Sequence, residues 1–200
     1  FSVKGTTLKI QGDANDYVAK GLSGGKIIIT PAEISSLQTN KNVIIGNTVL
    51  YGATKGTLYA AGMAGDRFAV RNSGAHAVIE GCGDNGCEYM TGGSVVILGE
   101  VGNNFGAGMT GGMAFVFDKD GTLPLRINLD DVFYQQQMTP YWEDVLKNKI
   151  SIYFNETNSQ HAKDILDNWD RDKYLFWQII PKEMVNKFEE PVLVETSKTA

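Results

Sequence analysis

The chain has 200 residues and a formal net charge of −5, and 20% of its residues are charged. An acidic chain without a Lys/Arg cluster offers no general nucleic-acid surface, and no apolar run reaches the roughly 20 residues that span a bilayer. Two cysteines, Cys82 and Cys87, are too few for a disulfide framework, so we expect a reducing compartment, the cytoplasm in the simplest case. Because Phe1 begins neither a signal peptide nor a chain with a start methionine, we expect a piece of a longer or processed protein.

The uneven distribution of glycine divides the chain into two regions. Between Gly12 and Gly112 lie 21 of the 23 glycines, whereas all three tryptophans lie beyond that part. We predict a boundary near residues 118–123. It separates a glycine-repeat domain over residues 1–122 from a mixed, mostly helical extension over residues 123–200.

Short strands are predicted between the glycines of the first region. Four glycine-containing segments can be superposed, and a short run of β-branched or aromatic residues follows each of them. The repeat from Gly92 to Gly111 spans 19 positions, a reasonable length for one coil of a solenoid. The predicted strands, in chain order, cover residues 26–29, 43–45, 68–70, 77–79, 95–98 and 114–117.

These strands are too short for a broad open sheet but suit a coil whose turns stack on one another. We therefore predict a mainly β fold, a parallel β-helix of five or six coils. At about 4.8 Å per stacked strand, the rod would be roughly 25–30 Å long. Glycine is expected at the corners because the chain must turn with positive φ and because successive coils bring backbones into close approach.

The extension has the signals of helices. Thr139 followed by Pro140 is a favourable helix start, and Thr157-x-x-Gln160 has the form of a capping box. Apolar residues at helical spacing follow, and then a strand over residues 174–180 and a short helix at 181–185. Because a solenoid exposes an apolar end, we expect these helices to cover that end.

Residues 106–112, GAGMTGG, match the G-x-G-x-x-G pattern of dinucleotide-binding loops. Such a loop needs a helix N-terminus after it to face the pyrophosphate. Here Met113 to Phe117 follow, an apolar run with the composition of a strand. The glycines are therefore interpreted as one corner of the coil.

Two other arrangements invite a chemical reading. Cys82 and Cys87 are spaced C-x4-C with His76 nearby. A zinc site usually has four ligands, however, and an iron–sulfur cluster is usually bound by three or four cysteines. We expect two small side chains packed in or near a corner. A nucleophilic pair of His76 and Cys82 would need proximity and an orienting group, which nothing in the sequence indicates. His161 is expected on the solvated side of its helix.

Acidic residues and methionines recur near the corners. The acidic residues are interpreted as solvated turn residues, although paired carboxylates of a β-helix hydrolase stay an alternative. The methionines are interpreted as core filling rather than as a ligand site. The acidic residues are Asp13, Asp16, Asp66, Glu80, Asp84 and Glu88, and the methionines are Met63, Met90, Met109 and Met113.

Four stretches resemble the C-terminal glycine-repeat domain of the glutamate synthase large (alpha) subunit. They are QGDANDYVAKGLSGGKII at residues 11–28, GNTVLYGATKGTLYAAGMAGDRFAVRNSGAHAVIEG at 46–81, GCEYMTGGSVVILGEVGNNFGAGMTGGMAFVFD at 86–118, and the tail at 159–169 with 176–181. A weaker, shared glycine pattern is similar to that of a formylmethanofuran dehydrogenase subunit, but the tail fits glutamate synthase better.

The resemblance implies a right-handed β-helix in an enzyme that makes two glutamates from glutamine, 2-oxoglutarate and reductant. It implies a glutaminase domain and an FMN-binding barrel with a 3Fe-4S cluster elsewhere in that enzyme. In eukaryotes the compartment would be a plastid or another organelle matrix. It carries no catalytic, cofactor-binding or metal-binding residue onto this chain, and Cys82 and Cys87 are not expected to be cluster ligands.

We therefore expect a structural domain whose partners are the glutaminase and FMN-binding domains, with self-association left open. We expect no nucleic-acid or membrane partner, no cofactor in this chain and no turnover by this chain alone. The alternatives are a stand-alone solenoid that binds a protein or sugar, a redox-enzyme subunit with the same glycine pattern, and an independent β-helix hydrolase.

Overall fold

The computed structural model describes residues 2–193 and has the predicted mainly β architecture, a parallel solenoid of about six turns. One eight-stranded sheet has the order β1-β2-β4-β6-β7-β8-β10-β9, and β3 and β5 form a small second sheet. The strands are β1 (Thr7–Gln11), β2 (Ser23–Thr30), β3 (Val43–Ile45), β4 (Lys55–Ala60), β5 (Met63–Ala64), β6 (Ser73–Ile79), β7 (Thr91–Ile97), β8 (Gly111–Phe117), β9 (Val132–Gln135) and β10 (Phe176–Pro181). The helices are α1 (Pro140–Thr157), α2 (Gln160–Asp167) and α3 (Trp169–Asp172), with 3-10 helices at Thr39–Lys41, Leu123–Leu125, Lys173–Leu175 and Lys182–Met184.

Three to five consecutive residues near the end of each of the central strands β2, β4, β6, β7 and β8 are buried on both faces of the main sheet, which explains why they read as continuous apolar runs, whereas the edge strand β1 is mostly exposed. In β2, Ile27 and Ile29 face the inside of the coil, whereas Ile28 faces the helices. Ile28 lies in register with Tyr59, which lies in register with Val78 on the next strand. One core therefore fills the coil and a second lies between the sheet and the helices.

Another side of the coil consists of five-residue segments in which the first, third and fifth residues have positive φ. Peptide groups in these segments bond to both neighbouring coils. The Thr48 N–H donates to the Asp66 carbonyl at 2.8 Å, while the carbonyl of the same peptide, on Asn47, accepts from Tyr17 N–H at 2.9 Å. Such bonds offset the cost of about 1–2 kcal/mol for a left-handed residue. The segments cover residues 17–21, 48–52, 67–71, 85–89 and 104–108.

The extension covers the end of the coil, but a strand rather than the helices covers the sheet edge. β10 pairs antiparallel with β8, with Phe176 opposite Phe117, and β9 pairs with the other edge of β10. Leu123 and Val132 join the core inside the coil. α1 and α2 instead lie across the face of the sheet, where Ile150 and other apolar residues form the second core. The division into two domains stays a prediction.

The predicted start of the first long helix is confirmed, and the predicted capping box is wrong. Thr139 is the N-cap of α1 and accepts from Trp142 N–H at 3.5 Å. Thr157 lies in the last turn of α1, so it cannot cap the next helix. Ser159 is the N-cap of α2, and its hydroxyl accepts from Ala162 N–H at 3.1 Å.

Two details of the predicted repeat are also corrected. Residues 68–70 form no strand, because they lie in a segment of alternating positive φ, and β4 was not predicted at all. The superposition of the four glycine-containing segments places Gly65 over Gly92. The structure instead aligns Gly65 with Gly83, because each of these two glycines lies against an Asx side chain of the preceding coil. The predicted coil length of 19 residues is confirmed for the later coils, in which hydrogen-bonded corner residues are 18 or 19 positions apart.

Candidate functional site

A row of Asp and Asn side chains runs along one corner of the coil, with one member per turn. One side-chain oxygen of each member except the last accepts a hydrogen bond from the backbone N–H of the next member. We call this row the Asx ladder. Because backbone donors occupy these acceptors, the ladder holds successive turns together. The bonds join Asp16 to Asn47 (2.8 Å), Asn47 to Asp66 (2.8 Å), Asp66 to Asp84 (2.9 Å) and Asp84 to Asn103 (2.6 Å).

Glycine before each later member of the Asx ladder makes room for the side chain of the preceding turn. A Cβ atom at Gly83 would lie 2.0 Å from Asp66 Oδ1, far inside van der Waals contact. Close approach, more than positive φ, therefore requires glycine here. The signal was present in the sequence as Gly-Asx pairs at 46–47, 65–66, 83–84 and 102–103.

The other acidic residues at the corners have different roles. Asp13 is exposed, as expected. Glu88 is half-buried and forms an ion pair with Arg67 at 3.1 Å. In the described range 2–193, no group of three or more His, Cys, Asp or Glu residues is arranged to hold a metal ion.

Glu80 is not a solvated turn residue, because none of its surface is exposed. It follows β6 and lies beneath α1 and α2. The Tyr153 hydroxyl lies 2.7 Å from Glu80 Oε1 and 3.0 Å from the Ala60 carbonyl, and the Ser159 hydroxyl donates to the same Oε1. Loss of hydration, followed by the nearby Glu80 carboxyl, raises the pKa of Tyr153 far above its ordinary value.

We call Glu80, Tyr153 and Ser159 the Glu80 clamp. It joins the end of a sheet strand to both long helices through hydrogen bonds that water does not reach. Buried polar groups of this kind are costly unless they are paired, so the clamp specifies how the helices sit on the coil. Sequence reasoning missed it, although a carboxylate placed directly after the apolar run 77–79 was a usable signal.

His76 and Cys82 are not brought together. His76 lies on the outer face of β6, where its Nδ1 is 2.8 Å from Ser94 Oγ on the neighbouring strand, whereas Cys82 points into the coil. Loss of hydration beside α1 and then the Lys149 charge lower the pKa of His76. His76 and Ser94 form a cross-strand pair on the outer face of the sheet, and such pairs stabilise sheets.

His161 differs from the expectation of a solvated side chain. Its ring is half-buried, donates from Nε2 to the Leu98 carbonyl and packs edge-on against Phe117 at 6.3 Å between ring centres. The side chain therefore fastens α2 to the ends of β7 and β8.

Both cysteines are free thiols in the core of the coil, as expected. Loss of hydration raises the pKa of Cys82 to about 12 and that of Cys87 well above its ordinary value. A thiol that stays protonated is a poor nucleophile and a poor metal ligand. Two buried thiols also do not fit an iron–sulfur cluster, which takes three or four cysteines.

The methionines and the glycine-rich loop have the expected structural roles. Met90, Met109 and Met113 are buried in the two cores, and Met63 is half-buried. The loop at residues 106–112 is a coil corner that runs directly into β8. A Cβ at position 111 would lie 2.1 Å from the Thr91 carbonyl oxygen, so close approach of two turns requires glycine there.

Across residues 2–193, none of the helices combines the length and apolar character needed to cross a membrane.

A family model described as "GXGXG motif" matches residues 1–182.

The chain is similar to glutamate synthases from several organisms. It is 60% identical over 192 residues to the glutamate synthase [NADPH] large chain of Azospirillum brasilense, aligning 96% of this chain with 13% of that protein. It is 52% identical over 181 residues to ferredoxin-dependent glutamate synthase 2 of Synechocystis sp., with shares of 90% and 12%. It is 49% identical over 181 residues to the chloroplastic ferredoxin-dependent enzyme of Spinacia oleracea, with shares of 90% and 11%. The chain thus spans 11–13% of the length of these relatives.

Proposed function

Because the chain belongs to the GXGXG motif family and matches glutamate synthases over nearly its whole length, we propose that it is the structural C-terminal domain of a glutamate synthase large chain. In this proposal it holds the catalytic domains in place and performs no step of the reaction itself. The parent reaction converts glutamine, 2-oxoglutarate and reductant into two glutamates and serves nitrogen assimilation.

One observation supports the non-catalytic part of the proposal: the exposed side chains of the Asx ladder, apart from the last, each use one oxygen to hold successive turns together, and the buried carboxyl of Glu80 is enclosed. The Asx ladder bonds turn to turn, and the Glu80 clamp is closed to solvent. A catalytic group has to reach its substrate with a free lone pair or proton. Glu80, the most deeply buried carboxyl described, cannot do so.

The partners in this proposal are the glutaminase and FMN-binding domains of the same polypeptide, and FMN and a 3Fe-4S cluster belong to that other part. The thiol content supports this assignment, because Cys82 and Cys87 are enclosed and too few for a cluster. The proposed compartment is the cytoplasm, or an organelle matrix in a eukaryote.

The proposal is tested by replacing the matching 13% of the Azospirillum brasilense large chain with this chain. We expect the chimera to form glutamate from glutamine and 2-oxoglutarate, the large chain without this segment to lose that activity, and this chain alone to form none. Glutamate formation by this chain alone, or an inactive chimera that is folded and carries its flavin, contradicts the proposal. The latter result favours a stand-alone binding module.

A further inference from the structure

The connection between β2 and β3 is longer than the corresponding connections in the later coils. Successive members of the Asx ladder are separated by 31, 19, 18 and 19 residues, so the first interval contains about 12 extra residues (31 − 19 = 12). The extra residues lie between the end of β2 at Thr30 and the start of β3 at Val43. We call residues 31–43 the long corner.

The long corner presents large apolar side chains to solvent. Ile34 is 97% exposed, Leu37 60% and Val43 61%. Single exposed apolar residues are ordinary, but three in one short segment resemble the apolar patches that mark interaction sites. The long corner contains one acidic and one basic residue, Glu33 and Lys41, so its net charge is zero in a chain of net charge −5.

An open cleft of about 220 Å³ lies against the long corner. Its walls include Pro31, Leu37, Val43, Ile44 and Ala61. The polar residues Asp13, Ser35, Thr39 and Asn42 also line the cleft, although apolar atoms contribute the larger part of its wall. The cleft is open and large enough to hold several water molecules. A large apolar side chain that entered the cleft would displace this water and bury Leu37 and Val43 together.

We propose that the long corner is a docking site for an uncharged, apolar surface elsewhere on the same longer polypeptide, with one large apolar side chain of that surface seated in the cleft. This inference rests on the proposed function, in which the domain packs against other domains. The matching segment is 13% of the Azospirillum large chain, so most of such a polypeptide is available as the partner.

The size of the site favours a partner within the same polypeptide over a second copy or a separate protein. A stable interface between separate proteins buries about 1,200–2,000 Å², more than three aliphatic side chains and one cleft supply. A contact between linked domains needs less area, because the linkage raises the effective concentration of the partner to the millimolar range.

The test uses the Azospirillum chimera and its Ile34→Asp/Leu37→Asp double variant. The matched control is Leu125→Asp, because Leu125 is 88% exposed and lies outside the long corner. Hydrogen exchange is measured by mass spectrometry on peptides from the long corner and from β6–β8. The milder Ile34→Ser/Leu37→Ser variant is measured too, in case the double aspartate variant does not accumulate.

We expect the chimera and the Leu125→Asp control to protect the long corner at least about tenfold more strongly than the double variant, with unchanged protection of β6–β8. A photo-crosslinker at position 34 is expected to attach to residues outside the grafted segment. Equal exchange in all variants, or crosslinks only between two copies, overturns the inference. An active chimera with an unprotected long corner refutes this inference alone, whereas an inactive, flavin-loaded chimera with a protected corner refutes the proposed function alone.

Discussion

The Tyr153 hydroxyl lies 2.7 Å from the Glu80 carboxyl, although the two residues are 73 positions apart in the sequence. We expect Glu80→Ala to lower the free energy of unfolding by about 2–4 kcal/mol, because it leaves the buried Ser159 hydroxyl without its acceptor and the Tyr153 hydroxyl with the Ala60 carbonyl alone. Glu80→Gln keeps an acceptor oxygen in the same place, so it should cost less. Equilibrium urea unfolding of the purified chain measures both values.

A double-mutant cycle with Tyr153→Phe separates the clamp from general packing loss. We expect a coupling energy of at least about 0.5 kcal/mol between the two positions, because they share a hydrogen bond. Strictly additive effects would show that the two positions do not interact, and a Glu80→Ala chain as stable as the parent would show that the clamp contributes nothing to stability.

The second prediction concerns the glycine that makes room for the Asx ladder. Gly83→Ala should lower the free energy of unfolding by more than about 2 kcal/mol, because the new methyl would lie 2.0 Å from Asp66 Oδ1. Gly121→Ala is the control: its φ is +69° and its Cβ would meet nothing within 4 Å, so only backbone strain of about 1–2 kcal/mol is expected. Thermal or urea unfolding compares the two.

The clash also predicts a rescue. Asp66→Ala removes the oxygen that a methyl at position 83 would strike, so Asp66→Ala combined with Gly83→Ala should be less destabilised than the sum of the single changes. If the losses simply add, the glycine is required for a reason other than the ladder.

The third prediction is that the two thiols are inert in the folded chain. Burial raises the pKa of Cys82 to about 12 and that of Cys87 well above its ordinary value, so almost no thiolate forms at about pH 8. A chromogenic disulfide reagent should react with neither thiol until denaturant is added, and then with two per chain. Rapid reaction of either thiol before unfolding would contradict the buried placement.

The fourth prediction concerns pH. The pKa of His76 is lowered in the folded chain, so the unfolded chain takes up this proton first as the pH falls below about 6.5. His76 should therefore not affect stability at about pH 8 and should reduce it progressively below about pH 6.5. Replacing His76 with Gln, which cannot titrate, should make the acid loss of stability shallower. An unchanged pH profile in urea unfolding would contradict this.

The strands of the coil could be predicted where both faces are apolar, as in the run that became β8. The error at Phe68 has a physical cause. Phe68 and its neighbours Ala69 and Val70 are apolar because they are buried, but their backbone alternates between negative and positive φ and pairs with other coils through isolated peptides. The apolar composition of residues 68–70 indicates that they are buried, but it does not indicate this backbone conformation. β4 could not be predicted because it begins with Lys55 and Gly56, which are not typical strand residues.

The candidate site was less accessible to sequence reasoning than the coil. The Gly-Asx pairs at residues 65–66 and 83–84 share one environment, and their 18-residue spacing was visible. The Glu80 clamp was not, because its members come together only when the helices fold back over the sheet. The pairing of β10 with β8 could not be predicted for the same reason, because it forms only when the chain returns to the sheet after the helices.

The Asx ladder also has a consequence for how the length of this domain can change. Each member accepts a hydrogen bond only from the N–H of the next turn, so the ladder pattern itself can be extended or shortened by a whole turn. Whatever is attached at the two extremities would then move apart or together in increments of about 4.8 Å, each encoded by 18 or 19 residues. A coil built this way would change its length in discrete steps, whereas a longer corner such as 31–43 would change the surface of one side and leave the length of the coil constant.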